Sequence, residues 1–143
     1  AVTFRANTAD GGQTLFMSNG SSLTPIADTT GSSSGFNEQA INNRGTVVFQ
    51  GFLDTGGAGI FTGSDSALNK IIATGDLLFG STVLGASIWP GAINHRGEVA
   101  FRAVLANGAE GIYLASPVPE PSSVLLLAVG LAALVWWRRK RAA

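Results

Sequence analysis

The chain copies itself, and that limits its fold more than any other feature. Ala1-Val2-Thr3-Phe4-Arg5 returns as Thr46-Val47-Val48-Phe49-Gln50 and again as Glu98-Val99-Ala100-Phe101-Arg102. Twelve residues after each phenylalanine stands a second aromatic (Phe16, Phe61, Tyr113), preceded by Leu15, Ile60 and Ile112 respectively. The two completed units close alike, on Ala40-Ile41-Asn42-Asn43-Arg44-Gly45 and Ala92-Ile93-Asn94-His95-Arg96-Gly97. The units run over 1–45, 46–97 and 98–115, with a first period of 45 residues and a second of 52. Self-similarity at such a period marks an array in which each unit buries a face against its neighbour. The seven extra residues lie between Asp76 and Trp89 and read as a loop insertion.

Within a unit, short runs of Val, Ile, Leu and Phe are bounded by Gly, Asn, Asp and Ser, which predicts strands. Asp10-Gly11, Thr55-Gly56 and Asn107-Gly108 occupy equivalent places between the first two strands. Such pairs favour a type I′ hairpin turn, whose two central residues take positive φ. Asn42 with Gly45, and Asn94 with Gly97, read as polar turns feeding the strands of Phe49 and Phe101. The expected fold is all-β: tandem four-stranded antiparallel meanders resembling propeller blades. Two full units and a terminal hairpin cannot close a propeller, so the expectation is the C-terminal part of a longer exported protein. The rival is a short open β-solenoid or stacked meander with exposed edges.

The last residues are of another kind. Val124 to Trp137 contains no charge, and Arg138, Arg139, Lys140 and Arg141 follow at once. These 14 residues span about 21 Å as a helix, short of the roughly 30 Å hydrocarbon core unless Ser122 and Ser123 extend it. A run that is apolar all round, flanked by Trp136 and Trp137, suits a membrane better than a domain surface. The expected layout is a Pro-rich linker over 116–123, a transmembrane helix over 124–137 and a basic cytoplasmic tail over 138–143. The positive-inside rule then places the repeats across the membrane.

Just before the helix stand Pro119, Glu120 and Pro121. This triplet, the short apolar run and the Arg-rich end together resemble the PEP-CTERM sorting signal of Gram-negative bacteria. The resemblance implies exosortase as partner, transient or permanent residence in the inner membrane, and cleavage near the motif. The destination would be the cell surface or extracellular polysaccharide, itself a candidate partner. The spacing Asn-x-x-Gly-x-Val-x-Phe, set by Asn42, Gly45 and Phe49 and by Asn94, Gly97 and Phe101, resembles tandem repeats of bacterial surface proteins and implies no catalytic residues.

Composition narrows the remaining chemistry. The chain has no cysteine and one histidine, so a disulfide framework, a thiolate nucleophile and a His-cluster metal site are all excluded. Residues 1–118 carry five basic and eight acidic side chains, a net of −3, which argues against nucleic acid as a partner. His95 falls where the preceding unit has Asn43, so a turn position explains it. Asp54, Asp65 and Asp76 invite comparison with the paired carboxylates of glycosidases, yet Asp76 stands where the first unit has Gly31. No P-loop, EF-hand or dinucleotide fingerprint occurs, and no cofactor or metal is expected. The leading expectation is a non-enzymatic exported repeat protein with a structural or binding role. The alternatives are a fragment of an exported propeller glycosidase or lyase with its active site in missing repeats, and a membrane-anchored binding module that is never processed.

Overall fold

The structure, a computed structural model, describes residues 1–63 and 69–117. Asp65, the Pro119–Glu120–Pro121 triplet, the apolar run 124–137 and the basic tail, with Trp136 and Trp137, lie outside the described residues. Within them every regular element is a strand: β1 (Val2–Asn7), β2 (Gln13–Ser18), β3 (Leu23–Asp28), β4 (Ser33–Ile41), β5 (Val47–Leu53) and β6 (Ala58–Phe61), then β7 (Lys70–Ala73), β8 (Leu77–Leu78), β9 (Ser81–Ser87), β10 (Val99–Leu105) and β11 (Glu110–Ala115). No helix among these residues is long and apolar enough to cross a membrane.

The strands form three antiparallel sheets, ordered β1-β2-β3, β4-β5-β6-β7 and β11-β10-β9-β8. The sheets are cut one strand out of phase with the sequence units. β4 ends the first unit yet bonds to β5 of the second, and β9 likewise bonds to β10. Register explains the twelve-residue aromatic spacing, because Phe4 faces Phe16, Phe49 faces Phe61 and Phe101 faces Tyr113 across their hairpins. Each pair stacks, with ring centroids 5.7, 5.8 and 5.8 Å apart, a geometry that aromatic pairs favour.

The hairpin turns differ from the type I′ expectation. Gly11, Gly56 and Gly108 have φ near +86°, +89° and +85°, but Asp10, Thr55 and Asn107 do not share a positive φ. The amides of Gly11, Gly56 and Gly108 donate to the carbonyls of Thr8, Leu53 and Leu105, three residues back. That is a tight turn followed by a left-handed glycine, the longer hairpin with a glycine bulge. The ladders decide it: pairing of Asn7 with Gln13 leaves five residues to connect, not two. The insertion also differs from expectation, because the stretch that holds it is a hairpin, with β8 paired to the start of β9 through Phe79 (φ +50°) and Gly80 (φ +80°). Two successive positive φ values are the type I′ signature, here on a bulky, exposed phenylalanine.

The sheets pack face to face. Between the first and second lie Leu15, Phe36, Val47, Phe49 and Phe61. Between the second and third lie Val48, Ile60, Val83, Val99, Phe101 and Leu105. A polar rung repeats beside each core. Arg5 Nη1 donates to the carbonyl of Phe36, and Gln50 Nε2, one residue after Phe49, donates to the carbonyl of Ala86 at 2.8 Å. Satisfying these carbonyls matters because an unpaired buried polar group costs about 1–3 kcal/mol.

Candidate functional site

The two unit-closing turns lie side by side. In the first, Asn42 Oδ1 accepts the amides of Arg44 and Thr46, both at 3.0 Å. In the second, Asn94 Oδ1 accepts those of Arg96 and Glu98 at 2.9 and 3.1 Å. Asparagine suits this position because its short amide copies a backbone acceptor, and the following amides fold around it. Gly45 and Gly97 close the turns at φ +83° and +84°, where a side chain costs roughly 1–2 kcal/mol. Asn42 Nδ2 then donates to the carbonyl of Asn94 at 3.0 Å, so one turn is bonded directly to the other. Gly97 has a second constraint, since a Cβ there would stand 3.2 Å from Pro117 Cγ.

A cleft of about 430 Å³ opens against these turns, lined by Asn42, Arg44, Arg96, Gly97, Ser116 and Pro117 among others. Arg44 and Arg96 are exposed, and among the described residues neither takes part in an ion pair. Two guanidinium groups beside a floor that includes Ile71 and Val99 suit a carboxylate, sulfate or phosphate carried on a larger molecule. Sequence reasoning passed over both arginines. The signal was present in their identical place in Asn-x-Arg-Gly, but a polar turn already accounted for it.

The other sequence-derived candidates are placed as follows. His95 is exposed in the second turn, in the position of Asn43. Asp54 and Asp76 are brought together and line one cleft of about 450 Å³ with Phe61 and Lys70. Asp76 is committed, however: Oδ1 pairs with Lys70 Nζ at 2.8 Å and Oδ2 accepts the amide of Ala73 at 2.8 Å. Among the described residues no three His, Asp or Glu side chains converge as a metal site. Phe49 and Phe101 are buried in the two cores.

β11 ends at Ala115, and residues 117–140 match the family model of the PEP-CTERM protein-sorting motif. No curated protein and no solved structure matches the chain.

Proposed function

With a PEP-CTERM motif at 117–140 marking the chain as an exported protein recognised by exosortase, we propose that the three sheets form a non-enzymatic binding module for the cell surface. In this reading the meanders are successive propeller-like blades, and segment 124–137 holds them at the inner membrane until cleavage near Pro119–Pro121 releases them. The ligand is an acidic extracellular polysaccharide, whose carboxylates meet Arg44 and Arg96. The observation that carries the reading is the junction. Because the motif begins two residues past β11, a cut there frees all three sheets whole. An enzymatic reading draws little from the Asp54–Asp76 cleft, because both oxygens of Asp76 already serve Lys70 and the turn.

The test is Glu120→Ala in a host that contains exosortase. Glu120 is the charge between two prolines, which lack amide donors, and in this reading it is the charge that an enzyme subsite engages. Insertion is expected to survive, because the apolar run supplies its energy, while full-length protein accumulates in the membrane. Mass spectrometry of wild-type released protein is expected to find a C-terminus near Pro119–Pro121. Unchanged release of the variant, or released wild type that still carries Arg138–Arg141, would rule the processing out.

A further inference from the structure

The chain contains Asn-Gly twice, at Asn19-Gly20 and at Asn107-Gly108. In such a pair the glycine amide nitrogen can attack the side-chain carbonyl carbon of the asparagine, because glycine has no Cβ to block the approach. As sequence the two pairs are equivalent. Each lies in a hairpin connection, Asn19-Gly20 between β2 and β3 and Asn107-Gly108 between β10 and β11. Both pairs are exposed, both glycines have positive φ (+92° and +85°), and a Cβ on either would meet nothing within 4 Å. Hydrogen bonding separates them. Gly108 donates its amide to the carbonyl of Leu105 at 3.0 Å, inside the turn that closes the hairpin. Gly20 donates instead to a hydroxyl, Ser18 Oγ, at 3.2 Å, a partner that rotates away without moving the backbone. The carbonyl oxygens differ as well. Among the described residues, Asn107 Oδ1 accepts one hydrogen bond, from the amide of Ala109 at 3.0 Å. Asn19 Oδ1 accepts three: the amides of Ser21 and Ser22 at 2.9 and 2.8 Å, and the Ser22 hydroxyl at 3.1 Å.

We propose that Asn19-Gly20 is a self-modifying site, at which the Gly20 nitrogen displaces ammonia from the Asn19 side chain while Asn107-Gly108 stays intact. The Gly20 amide loses its proton to hydroxide, and its nitrogen bonds to Asn19 Cγ. The carbonyl electron pair moves onto Oδ1, where the two serine amides and the hydroxyl receive the negative charge, as donors aimed at a developing oxyanion do in enzymes. The pair then returns, the Cγ–Nδ2 bond breaks, and Nδ2 leaves as ammonia with a proton from water. Water opens the resulting cyclic imide at either carbonyl, giving aspartate or, with the chain routed through Cβ and Cγ, isoaspartate. No other reactant is needed. Either product puts a negative charge on the turn. Isoaspartate also lengthens the turn by a methylene beside the Ser18–Leu23 pair that closes β2 on β3. The related Asp10-Gly11 pair lacks both requirements. Gly11 donates to the carbonyl of Thr8 at 3.0 Å. Bonds from the Thr8 hydroxyl and the Gly12 amide hold the Asp10 carboxyl below its ordinary pKa, as an ion with no group to expel.

The full chain in non-ionic detergent is incubated at mildly alkaline pH, digested and read by tandem mass spectrometry, with isoaspartate located by electron-transfer fragmentation. Native Asn19 is expected to convert about tenfold faster than Asn107, because freeing the Gly108 amide breaks a backbone hydrogen bond and its transition state has fewer oxyanion donors. In urea, where both sets of bonds are lost, the two rates are expected to agree within about threefold. Ser22→Ala removes the hydroxyl and keeps both amides. At this exposed position it is expected to slow conversion of Asn19 by about twofold to threefold and to leave the unfolding midpoint where it was. Equal native rates, or faster loss of Asn107, overturn the proposal. So does an Asn19 that converts in urea but not in the folded chain, or a Ser22→Ala chain that converts faster than wild type. In either case the bonds to Oδ1 restrain the side chain and do not receive its charge.

Discussion

Ile60 and Ile112 occupy the same place in the repeat, one residue before the second aromatic, and truncating each to alanine isolates what a covering sheet contributes. Ile60 is 0% exposed between the second and third sheets, among Val48, Val83 and Phe101. Removing its side chain forfeits the transfer energy of a fully buried aliphatic group, about 1.5–3 kcal/mol. A residual cavity adds to this, for a total of about 2–5 kcal/mol. Ile112, 64% exposed, has only roughly a third of that burial to lose and no closed cavity to leave, so Ile112→Ala is expected to cost under about 1 kcal/mol. Against a total stability of about 5–15 kcal/mol for an ordinary domain, the first change is severe and the second slight. The assay is urea unfolding followed by far-ultraviolet circular dichroism. Equal denaturant slopes for both variants and wild type license the comparison. If the two losses agreed within about 0.5 kcal/mol, sheet-on-sheet burial would not be what stabilises the second sheet, and the stacking order described above would be wrong.

Asn42→Ala removes a buried acceptor of two amides and the donor that joins the two turns, so a loss of about 2–3 kcal/mol in the same unfolding assay is expected. Asn94→Ala, at an exposed position, is expected to cost visibly less. Phe79 holds φ +50° while exposed, so Phe79→Asn is expected to raise the unfolding midpoint by relieving about 1 kcal/mol of backbone strain. A lowered midpoint would show instead that its approach to Tyr113, at 5.8 Å between centroids, outweighs the strain. Replacing Arg44 and Arg96 together by alanine is expected to abolish salt-sensitive binding of a polyuronate, measured by co-sedimentation, while leaving unfolding unchanged. Binding that persists in the double variant would remove the cleft from the function.

Much of this architecture is legible in the residues themselves. The recurrence of Val-x-Phe, the aromatic twelve residues on and the Asn-x-Arg-Gly closures specify which stretches are strands and where the chain must turn. The reason is local: alternating side chains, the short asparagine amide and the left-handed freedom of Gly45 and Gly97 act within a few residues. The sorting motif is legible for the same reason, being a contiguous signature at residues 117–140. Periodicity has no phase, however, and a repeat of 45 residues is the same repeat wherever it is cut. Whether β4 bonds back to β3 or on to β5 depends on long-range pairing, and only the fold decides it. The turns follow the same logic, since Asp10-Gly11 is compatible with two hairpins and the register of Asn7 with Gln13 selects one. Leu15, Ile60 and Ile112 are interchangeable as letters in the pattern. The first two are core and the third is surface because burial belongs to a pair of sheets, and no single strand carries the identity of its neighbour.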